Sequence, residues 1–321
     1  MINTYKPEGM LISTPENREL LSSLSGLERA RDSGKILEST VLLCDSAMRL
    51  HLNLYGIEGI IEKEECAWCR QDEALKDIAI ITRVGKPVAF KVMGISYESG
   101  KPVAILSRRE AQLDCLRNYL SDIITGDIIP ARVTHLESFG AFVDIGCGIA
   151  SLLSVDSISV SRISHPKDRL KIGDTIYTIV KSIDHDANRI FVSMRELLGT
   201  WEENAAGFEV GQTVSGMVRS IESYGVFVEL APNLAGLAEI RDGTKDREVA
   251  KVGEQVAVYI KSIIPDRMKI KLVLIDSYKG DTLSSGIKYY IDCNNISHLN
   301  SWVYSPPNAK KIIESQFSSA F

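Results

Sequence analysis

Short apolar runs alternate with turn residues through the middle of the chain. Between residues 126 and 196, five runs rich in Val, Ile and Phe are separated by Gly, Asn, Asp and Ser; they span about 127–134, 140–145, 149–153, 174–183 and 189–193. Strands this short and this regularly spaced are typical of a small closed barrel and not of alternating strands and helices. Glycines inside strand pattern, Gly140 and Gly225, are predicted to mark bulges or sharply coiled corners.

The same order of residues occurs a second time. Residues 211–276 repeat the pattern of 126–196, with an offset of 85 positions up to the strand that carries the aromatics and 80 positions after it. The change of offset falls in a loop, where insertions are tolerated. One supersecondary unit used twice predicts tandem barrels of about 70 residues each. A five-stranded barrel of this size with aromatics on one face is the oligonucleotide-binding (OB) architecture.

Specific motifs within the repeat resemble a known family. Residues 139–146 read Phe-Gly-Ala-Phe-Val-Asp-Ile-Gly, residues 171–174 read Lys-Ile-Gly-Asp, and residues 189–193 read Arg-Ile-Phe-Val-Ser. This set resembles the RNA-binding domain named after bacterial ribosomal protein S-one. The likeness is weaker in 211–276, where Val273 replaces the closing serine and Ile275 the closing basic residue. The resemblance implies an OB-fold that binds single-stranded RNA, with no cofactor and no catalysis of its own.

A third, more divergent copy is predicted at 34–110, since Gly85 aligns with Gly173 and Ser107 with Ser193. The expected fold is therefore all-β, with three tandem five-stranded barrels at 34–110, 126–196 and 211–276. Ser107 and Ser193, each followed three residues later by Glu, predict capping boxes that open linker helices at 111–125 and 197–210. Residues 1–33 are expected to form an N-terminal tail with one amphipathic stretch, either a partner-binding helix or disordered.

The C-terminal extension, 277–321, is predicted to be ordered because it carries several aromatic residues. Residues 287–291 predict a strand, followed by a short helix that ends near Phe317. The segment either packs on the third barrel or offers a surface to a partner.

Four aromatic residues are the main candidates for RNA contact. The resemblance implies that Phe139 and Phe142 form a stacking platform, with Tyr224 and Phe227 in the same roles in the next barrel. Stacking on aromatic rings is a general way of holding flexible single strands. The alternative is that Phe142 simply belongs to the hydrophobic core.

Further candidates come from other positions of the family pattern. Where the family often has a histidine, this chain has Ser154 and Glu239; serine retains a hydrogen-bonding group, whereas glutamate repels phosphate. The last hairpin of the family presents an acid and a base, matched here by Asp186 with Arg189 and by Asp266 with Lys269. The alternative is that these residues have no role in binding, because Asp is also common at solvated hairpin tips, where its side chain stabilises the turn.

The first predicted barrel lacks the aromatic pair. A constant offset places Ala47 and Leu50 where Phe139 and Phe142 stand. A barrel without its ligand face is expected to make protein contacts, and in the family the leading domains dock on the ribosome. Residues 1–110 are therefore the candidate contact with the small ribosomal subunit.

Charge argues against a binding mode led by phosphate contacts. The chain carries a net charge of −5; residues 126–196 hold eight Lys and Arg against nine Asp and Glu, and residues 211–276 hold nine against nine. Proteins that depend on phosphate contacts are far more basic. Stacking supplies about 1–3 kcal/mol per base, so the expected binding is led by aromatic rings and weak for each barrel.

The cysteines and the hydropathy of the chain argue against a disulfide-rich, membrane-spanning or secreted protein. Six cysteines at irregular spacings do not suggest a disulfide framework. No apolar run approaches the length of a membrane span, and the start resembles no signal peptide, so a cytoplasmic protein is expected. The Cys-Ala-Trp-Cys stretch at 66–69 has no second half to complete a zinc site and no thioredoxin-like surroundings.

Three hypotheses follow. The first is a binding protein that holds single-stranded mRNA near the ribosome. The second is an adaptor whose barrels mainly bind protein and whose RNA face is residual. The third, least supported, is a thiol enzyme using Cys66 and Cys69. Exposed rings of Phe139 and Phe142 beside Arg189 favour RNA, whereas rings covered by a linker helix or a tail favour the adaptor.

Overall fold

The computed structural model describes residues 5–69, 74–97, 100–184, 187, 189–240, 251–278 and 286–317. The chain folds into three closed five-stranded barrels, as the repeat predicts, followed by a small two-stranded sheet. Contacts group the chain into two compact units. One contains the first barrel together with Pro130–Arg132 and Asp144–Ala150; the other contains the rest of the second barrel, the third barrel and the C-terminal segment.

Barrel 1 is built from β1 to β5, in the spatial order β1-β2-β3-β5-β4. The strands are β1 Leu37–Cys44, β2 Leu50–Leu54, β3 Ile57–Ile61, β4 Pro87–Ser96 and β5 Val103–Ser107. Alternate residues point inward, as the two-residue period of a strand requires: Leu50, Leu52 and Leu54 are buried while the residues between them are not. Helix α3, Asp77–Ile81, lies between β3 and β4.

The N-terminal residues are part of this barrel, so their description as a tail is wrong for the described part. Helix α1 spans Pro15–Leu21 and helix α2 spans Leu24–Ser33, with Thr14 and Ser23 as N-caps. Their apolar residues, Leu20, Leu21, Leu27 and Ala30, are buried in the same core as the strands of barrel 1. The sequence shows an amphipathic stretch, but only the folded barrel supplies the apolar surface that it covers.

Barrel 2 repeats the arrangement with strands β6 to β10, in the order β10-β8-β7-β6-β9. The strands are β6 Ile128–Glu137, β7 Gly140–Asp144, β8 Ala150–Ser154, β9 Thr175–Asp184 and β10 Arg189–Ser193. Between β8 and β9 lie a short helix, α5 Val155–Ile158, and a 3-10 turn, Pro166–Asp168.

Barrel 3 follows the same plan with β11 to β15, in the order β11-β12-β13-β15-β14. The strands are β11 Thr213–Glu222, β12 Gly225–Ala231, β13 Leu234–Glu239, β14 Gln255–Ile264 and β15 Lys269–Tyr278. In every barrel the third and fifth strands pair in parallel, and in barrels 1 and 3 the other pairs are antiparallel.

Short helices follow the first two barrels. Helix α4, Arg108–Cys115, begins at the N-cap Ser107, whose hydroxyl accepts a hydrogen bond from the Glu110 N–H as predicted, and it continues in a π-helical turn at Leu116–Leu120. The prediction for Ser193 is wrong. Its hydroxyl donates to the Glu196 carboxylate and the Ser157 carbonyl instead, and the 3-10 turn Arg195–Leu198 has no side-chain cap. Helix α6, Trp201–Ala205, is capped by Thr200.

The C-terminal segment does not form the predicted strand and helix. Residues 287–291 are irregular, and the ordered elements are β16 Ser301–Val303 and β17 Glu314–Gln316, which pair antiparallel. Trp302, Tyr304 and Phe317 are buried in the hydrophobic cluster that contains the core of barrel 3. The segment therefore packs back on its own chain, one of the two alternatives left open by the sequence.

No helix in the described part of the chain is long and apolar enough to span a membrane. Within the same residues, no group of three or more His, Cys, Asp or Glu side chains is arranged to hold a metal ion.

Candidate nucleic-acid interface

Strand β7 carries the aromatic motif and shows which of its side chains leave the core. Ala141 and Val143 are fully buried, so Phe142, which lies between them, points to the outside of the barrel and is half-buried. Phe139, just before the strand, is 53% exposed. The two rings meet edge to face, with centroids 6.0 Å apart. Phe142 is therefore not a core residue, and both rings present surface to solvent.

The glycine inside the motif is required by a neighbouring strand. A Cβ atom on Gly140 would lie 2.6 Å from the Leu153 carbonyl oxygen, and one on Gly225 would lie 2.8 Å from that of Ala238. These glycines mark a close approach of two backbones. The bulge expected at Gly225 lies instead in β11, between Val218 and Ser220.

A row of side chains extends the platform across neighbouring strands of barrel 2. The Phe142 ring lies 6.5 Å from the His135 ring of β6. On β10, Phe191 pairs with Leu152 of β8. Leu152 is the equivalent of Leu237 in barrel 3, and Leu237 pairs with Phe227, the equivalent of Phe142. His135, Phe142, Leu152 and Phe191 are half-buried or exposed, and they form the outer row of barrel 2.

His135 and Phe191 were not predicted from the sequence, because neither belongs to the aromatic motif. The signal for Phe191 is the alternation along β10, where Val192 is buried and Arg189 and Phe191 lie on the opposite face. The repeat could have indicated His135, because the offset of 85 makes it the equivalent of Ser220 in the next barrel.

The structure brings Arg189 to the same face as Phe191, two residues along β10, where the Arg189 side chain is exposed and has no ion pair among the described residues. Asp186, its predicted partner, lies outside the described residues. Ser154 ends β8, and its hydroxyl donates to the Ser157 hydroxyl oxygen at 2.9 Å. Lys181 donates to that same oxygen at 3.0 Å, so a cation stands close to Ser154.

Barrel 3 presents a similar face with different polar groups. The Tyr224 and Phe227 rings meet edge to face at 6.1 Å, and Tyr224 is 58% exposed. The third ring is missing, since Lys271 occupies the position of Phe191. Lys271 donates to the Glu239 carboxylate at 3.1 Å, so the acidic residue expected to repel phosphate has a cationic partner.

Asp266 and Lys269 lie at the hairpin between β14 and β15, the last hairpin of barrel 3. The Lys269 side chain is exposed at the start of β15 and has no ion pair within the described part of the chain. Asp266 lies in the 3-10 turn Pro265–Arg267, its carboxylate 3.9 Å from Arg267. Its backbone carbonyl accepts a hydrogen bond from the N–H of Lys310, so the C-terminal segment contacts this hairpin.

In barrel 1 the predicted alignment of Ala47 and Leu50 is wrong by one position. The parallel strand pairs show which positions are equivalent: Ile61 of barrel 1 corresponds to Ala238 of barrel 3. On the neighbouring antiparallel strand, Ile61 pairs with Leu50 and Ala238 pairs with Val226. Leu50 and Val226 are therefore equivalent, and both are buried. The hairpin from Leu50 to Ile61 is one residue shorter than the hairpin from Val226 to Ala238. An alignment with a constant offset is therefore wrong by one position before this hairpin. His51 therefore stands where Phe227 stands.

The surroundings of His51 do not favour phosphate. Its ring contacts Glu58 at 2.9 Å and Asp45 at 3.2 Å. Burial lowers the pKa of His51, but the two carboxylates outweigh burial and the net pKa is raised. The adjacent position on β1 is Leu43, which is exposed. The equivalent face of barrel 1 is thus aliphatic and acidic.

The net charge of the chain overstates the acidity of these faces. Asp144, Glu196 and Glu229 are buried, at 3%, 1% and 6% exposure, and each is bonded within the protein. Arg189 and Lys269 remain exposed beside the rings. The acidic balance therefore lies partly in the interior, while cations lie at the candidate interface.

Cys66, the first thiol of the Cys66–Cys69 pair, has the environment of an inert thiol. Cys66 is buried, and its Sγ donates to backbone carbonyls, among them that of Glu62 at 3.3 Å. Burial raises the pKa of Cys66 to about 12. A thiol that stays protonated is a poor nucleophile and a poor metal ligand.

Comparison with known protein families gives a match that covers barrel 2. Residues 122–195 match the family described as "S1 RNA binding domain". This stretch of the chain is similar to S1 RNA-binding domains. The resemblance predicted from the motifs in 126–196 is thereby confirmed, and the match covers barrel 2, with its aromatic row and Arg189.

Matches to known relatives extend over more than one barrel. It is 27% identical over 224 residues to small ribosomal subunit protein bS1 of Chlamydia muridarum, covering 68% of this chain and 38% of that protein. It is 33% identical over 202 residues to bS1 of Staphylococcus aureus, covering 59% of this chain and 50% of that one. The chain thus spans half or less of these relatives.

Among solved structures, a multidomain protein with nucleic acid binding domains from Streptococcus pneumoniae is 16% identical, with a TM-score of 0.23, over 75% of this chain and 73% of that one.

Proposed function

We propose that this chain binds single-stranded RNA on the outer face of barrel 2, continued on barrel 3, without catalysis of its own. The observation that carries the proposal is the outer row of barrel 2, in which Phe142 and Phe191 present rings to solvent on neighbouring strands, with Phe139 beside them. Rings arranged in this way stack on bases whatever the sequence.

The polar groups around the rings suit RNA better than a protein partner. Arg189 extends from the same face as Phe191 and offers a charge to phosphate without first breaking an ion pair with any residue that the structure describes. His135, exposed beside Phe142, offers its Nδ1 as a further hydrogen-bonding group, since its Nε2 lies 2.7 Å from the Glu137 carboxylate. In the adaptor hypothesis these rings would be covered by a linker helix or a tail, whereas Phe139 is more than half exposed.

Barrel 2 is the stronger site and barrel 3 the weaker one. Barrel 2 has three aromatic rings and Ser154 with the nearby Lys181; barrel 3 has two rings, and Glu239 occupies the position of Ser154. A carboxylate at the interface costs affinity for phosphate even when Lys271 partly compensates it.

Barrel 1 has a separate role in this proposal. Its equivalent face carries Leu43 and His51, the latter held by two carboxylates, so a protein partner fits it better than RNA. The relatives are small ribosomal subunit proteins, which favours the small subunit as the partner of residues 1–110. The chain then holds mRNA in the cytoplasm, close to the translating ribosome.

The test is titration of a labelled single-stranded RNA with the full chain and with the double variant Phe139→Ala/Phe142→Ala. The loss of two stacking rings is expected to cost about 1–3 kcal/mol per ring. Tyr97→Ala is a matched control, since its ring on barrel 1 is 60% exposed and lies outside the proposed interface. Equal affinity of the double variant and the control would contradict the proposal, as would preference for a duplex of the same sequence.

A further inference from the structure

A cavity of about 370 Å³ lies beside the aromatic pair of barrel 3, and residues of barrel 2 form one of its walls. Tyr224, Phe227 and Ser220 line it on the side of barrel 3. The loop that follows α5 in barrel 2 supplies Arg162 and Ile163. A volume of this size lies within the range of small-ligand sites, about 300–1,000 Å³.

Hydrogen bonds to the side chain of one buried asparagine, Asn233, fix the wall contributed by barrel 2. The Val160 N–H, two residues before Arg162, donates to the Asn233 side-chain oxygen at 2.8 Å. Asn233 is fully buried, and its amide nitrogen donates to the carbonyls of Arg195 at 2.8 Å and Gly199 at 2.9 Å. A buried amide with three satisfied bonds holds its neighbours firmly. The cavity is therefore formed before any ligand arrives.

An ion network next to the cavity distinguishes its two arginines. Arg169 and Arg219 both donate to the Glu229 carboxylate, and Arg219 also lies 3.7 Å from Asp168. The charge of Arg219 is thus compensated within the protein. The Arg162 side chain is exposed and makes neither an ion pair nor a hydrogen bond with the described residues. It is the cation at the rim that remains free for an anion.

We propose that this cavity holds one unpaired nucleotide of a single-stranded RNA, with its base against Tyr224 and Phe227 and its phosphate at Arg162. The inference rests on the proposed function and extends it, because it makes barrel 2 part of the binding site of barrel 3. Ile163 supplies an apolar surface to the base, and Ser220 offers a hydrogen-bonding group to its edge. Glu222, which also lines the cavity, keeps the phosphate at the rim on the side of Arg162.

The first arm of the test measures affinity and its salt dependence for the full chain. Arg162→Ala is expected to weaken binding of a labelled oligouridylate about fivefold. It should also lower the slope of log affinity against log salt by about 0.7, the value for one phosphate contact on a single strand. Arg117→Ala is the matched control, since Arg117 is an exposed arginine that follows α4 and makes no ion pair among the described residues. Arg162→Glu is expected to lose more affinity than Arg162→Ala.

The second arm maps the nucleotide itself. Oligonucleotides with a single 4-thiouridine at successive positions are crosslinked to the full chain, and one position is expected to crosslink both to 162–164 and to 224–227. Crosslinks to 224–227 alone, with Arg162→Ala binding as tightly as the control, overturn the cavity while RNA binding stands. A lower affinity of Arg162→Ala with an unchanged salt slope overturns the phosphate contact. A chain that binds no RNA overturns the proposed function as well.

Discussion

Replacing Asn233 by alanine removes a side chain that joins barrel 3 to residues on the barrel 2 side of the same compact unit. Its side chain makes three hydrogen bonds, with the N–H of Val160 and the carbonyls of Arg195 and Gly199. Alanine offers none of these bonds, and because the site is fully buried, water does not readily replace them. Three backbone groups would lose their partners: that of Gly199 is buried, and those of Val160 and Arg195 are partly buried.

The expected cost follows from the number of bonds. A hydrogen bond contributes about 1 kcal/mol net, and a buried group left without its partner costs about 1–3 kcal/mol. Three such bonds give a loss of about 3 kcal/mol in the free energy of unfolding. The loss should appear in the transition of barrel 3, whose core cluster contains Trp201 and Trp302.

Urea unfolding followed by tryptophan fluorescence measures this loss. A Trp68→Phe background leaves Trp201 and Trp302 as the only tryptophans, since the chain has three. Asn118→Ala is the control, because Asn118 is exposed and its side chain donates to the Asp114 carboxylate in an exposed hydrogen bond; its effect should stay within about 0.5 kcal/mol. If Asn233→Ala cost no more than this control, the argument that Asn233 holds the wall of the cavity would be refuted.

Three further predictions concern pH, thiols and strand length. Burial raises the pKa of Glu38 to about 7 from 4.5, so its ionised form disfavours folding. The free energy of unfolding should therefore fall by up to about 3 kcal/mol as the pH rises from 4.5 to 7, and Glu38→Gln should flatten that fall in urea titrations at pH 5 and pH 8; an unchanged profile would contradict it. Cys66, with a pKa of about 12 against 9.0 for a free thiol, should hold roughly a thousandfold less thiolate at pH 8 than a free thiol does. Mass spectrometry should therefore find Cys66 alkylated by iodoacetamide only after the protein is unfolded. Rapid labelling of the native protein would contradict this prediction. An oligonucleotide that spans barrels 2 and 3 should bind at least about tenfold more tightly than one that reaches barrel 2 alone; equal affinities in parallel titrations would mean that barrel 3 takes no part.

The barrels and the aromatic pairs were predictable because the repeat encodes them locally. A two-residue alternation around Phe142 or Phe227 sets both the strand and the outward side, and the same spacing recurs 85 residues later. His135 and Phe191 were missed because they join the platform only through pairing between strands. The error at Leu50 has a similar cause, since a hairpin shorter by one residue moves every side chain to the other face.

The two ends of the chain were predicted least well, because their structure depends on distant surfaces. Helices α1 and α2 are short and are stabilised by burying Leu21 and Leu27 against barrel 1. Strand β17, Glu314–Gln316, has no apolar alternation that would distinguish it from a helix, and its pairing with β16 decides its conformation.

The C-terminal segment also has a consequence for folding during synthesis. Beside the first strand of barrel 2, His298 contacts Asp127 at 2.7 Å across a sequence separation of 171 residues, and Leu299 N–H donates to the Gly126 carbonyl. At a synthesis rate of about 5–20 residues per second, these partners emerge roughly 10–30 s after Asp127 does. The residues that lead into β6, Gly126 and Asp127, therefore lack these partners until synthesis has passed residue 299. Contacts of such high sequence separation also slow refolding, so the second compact unit should regain its native structure more slowly than its small barrels would alone.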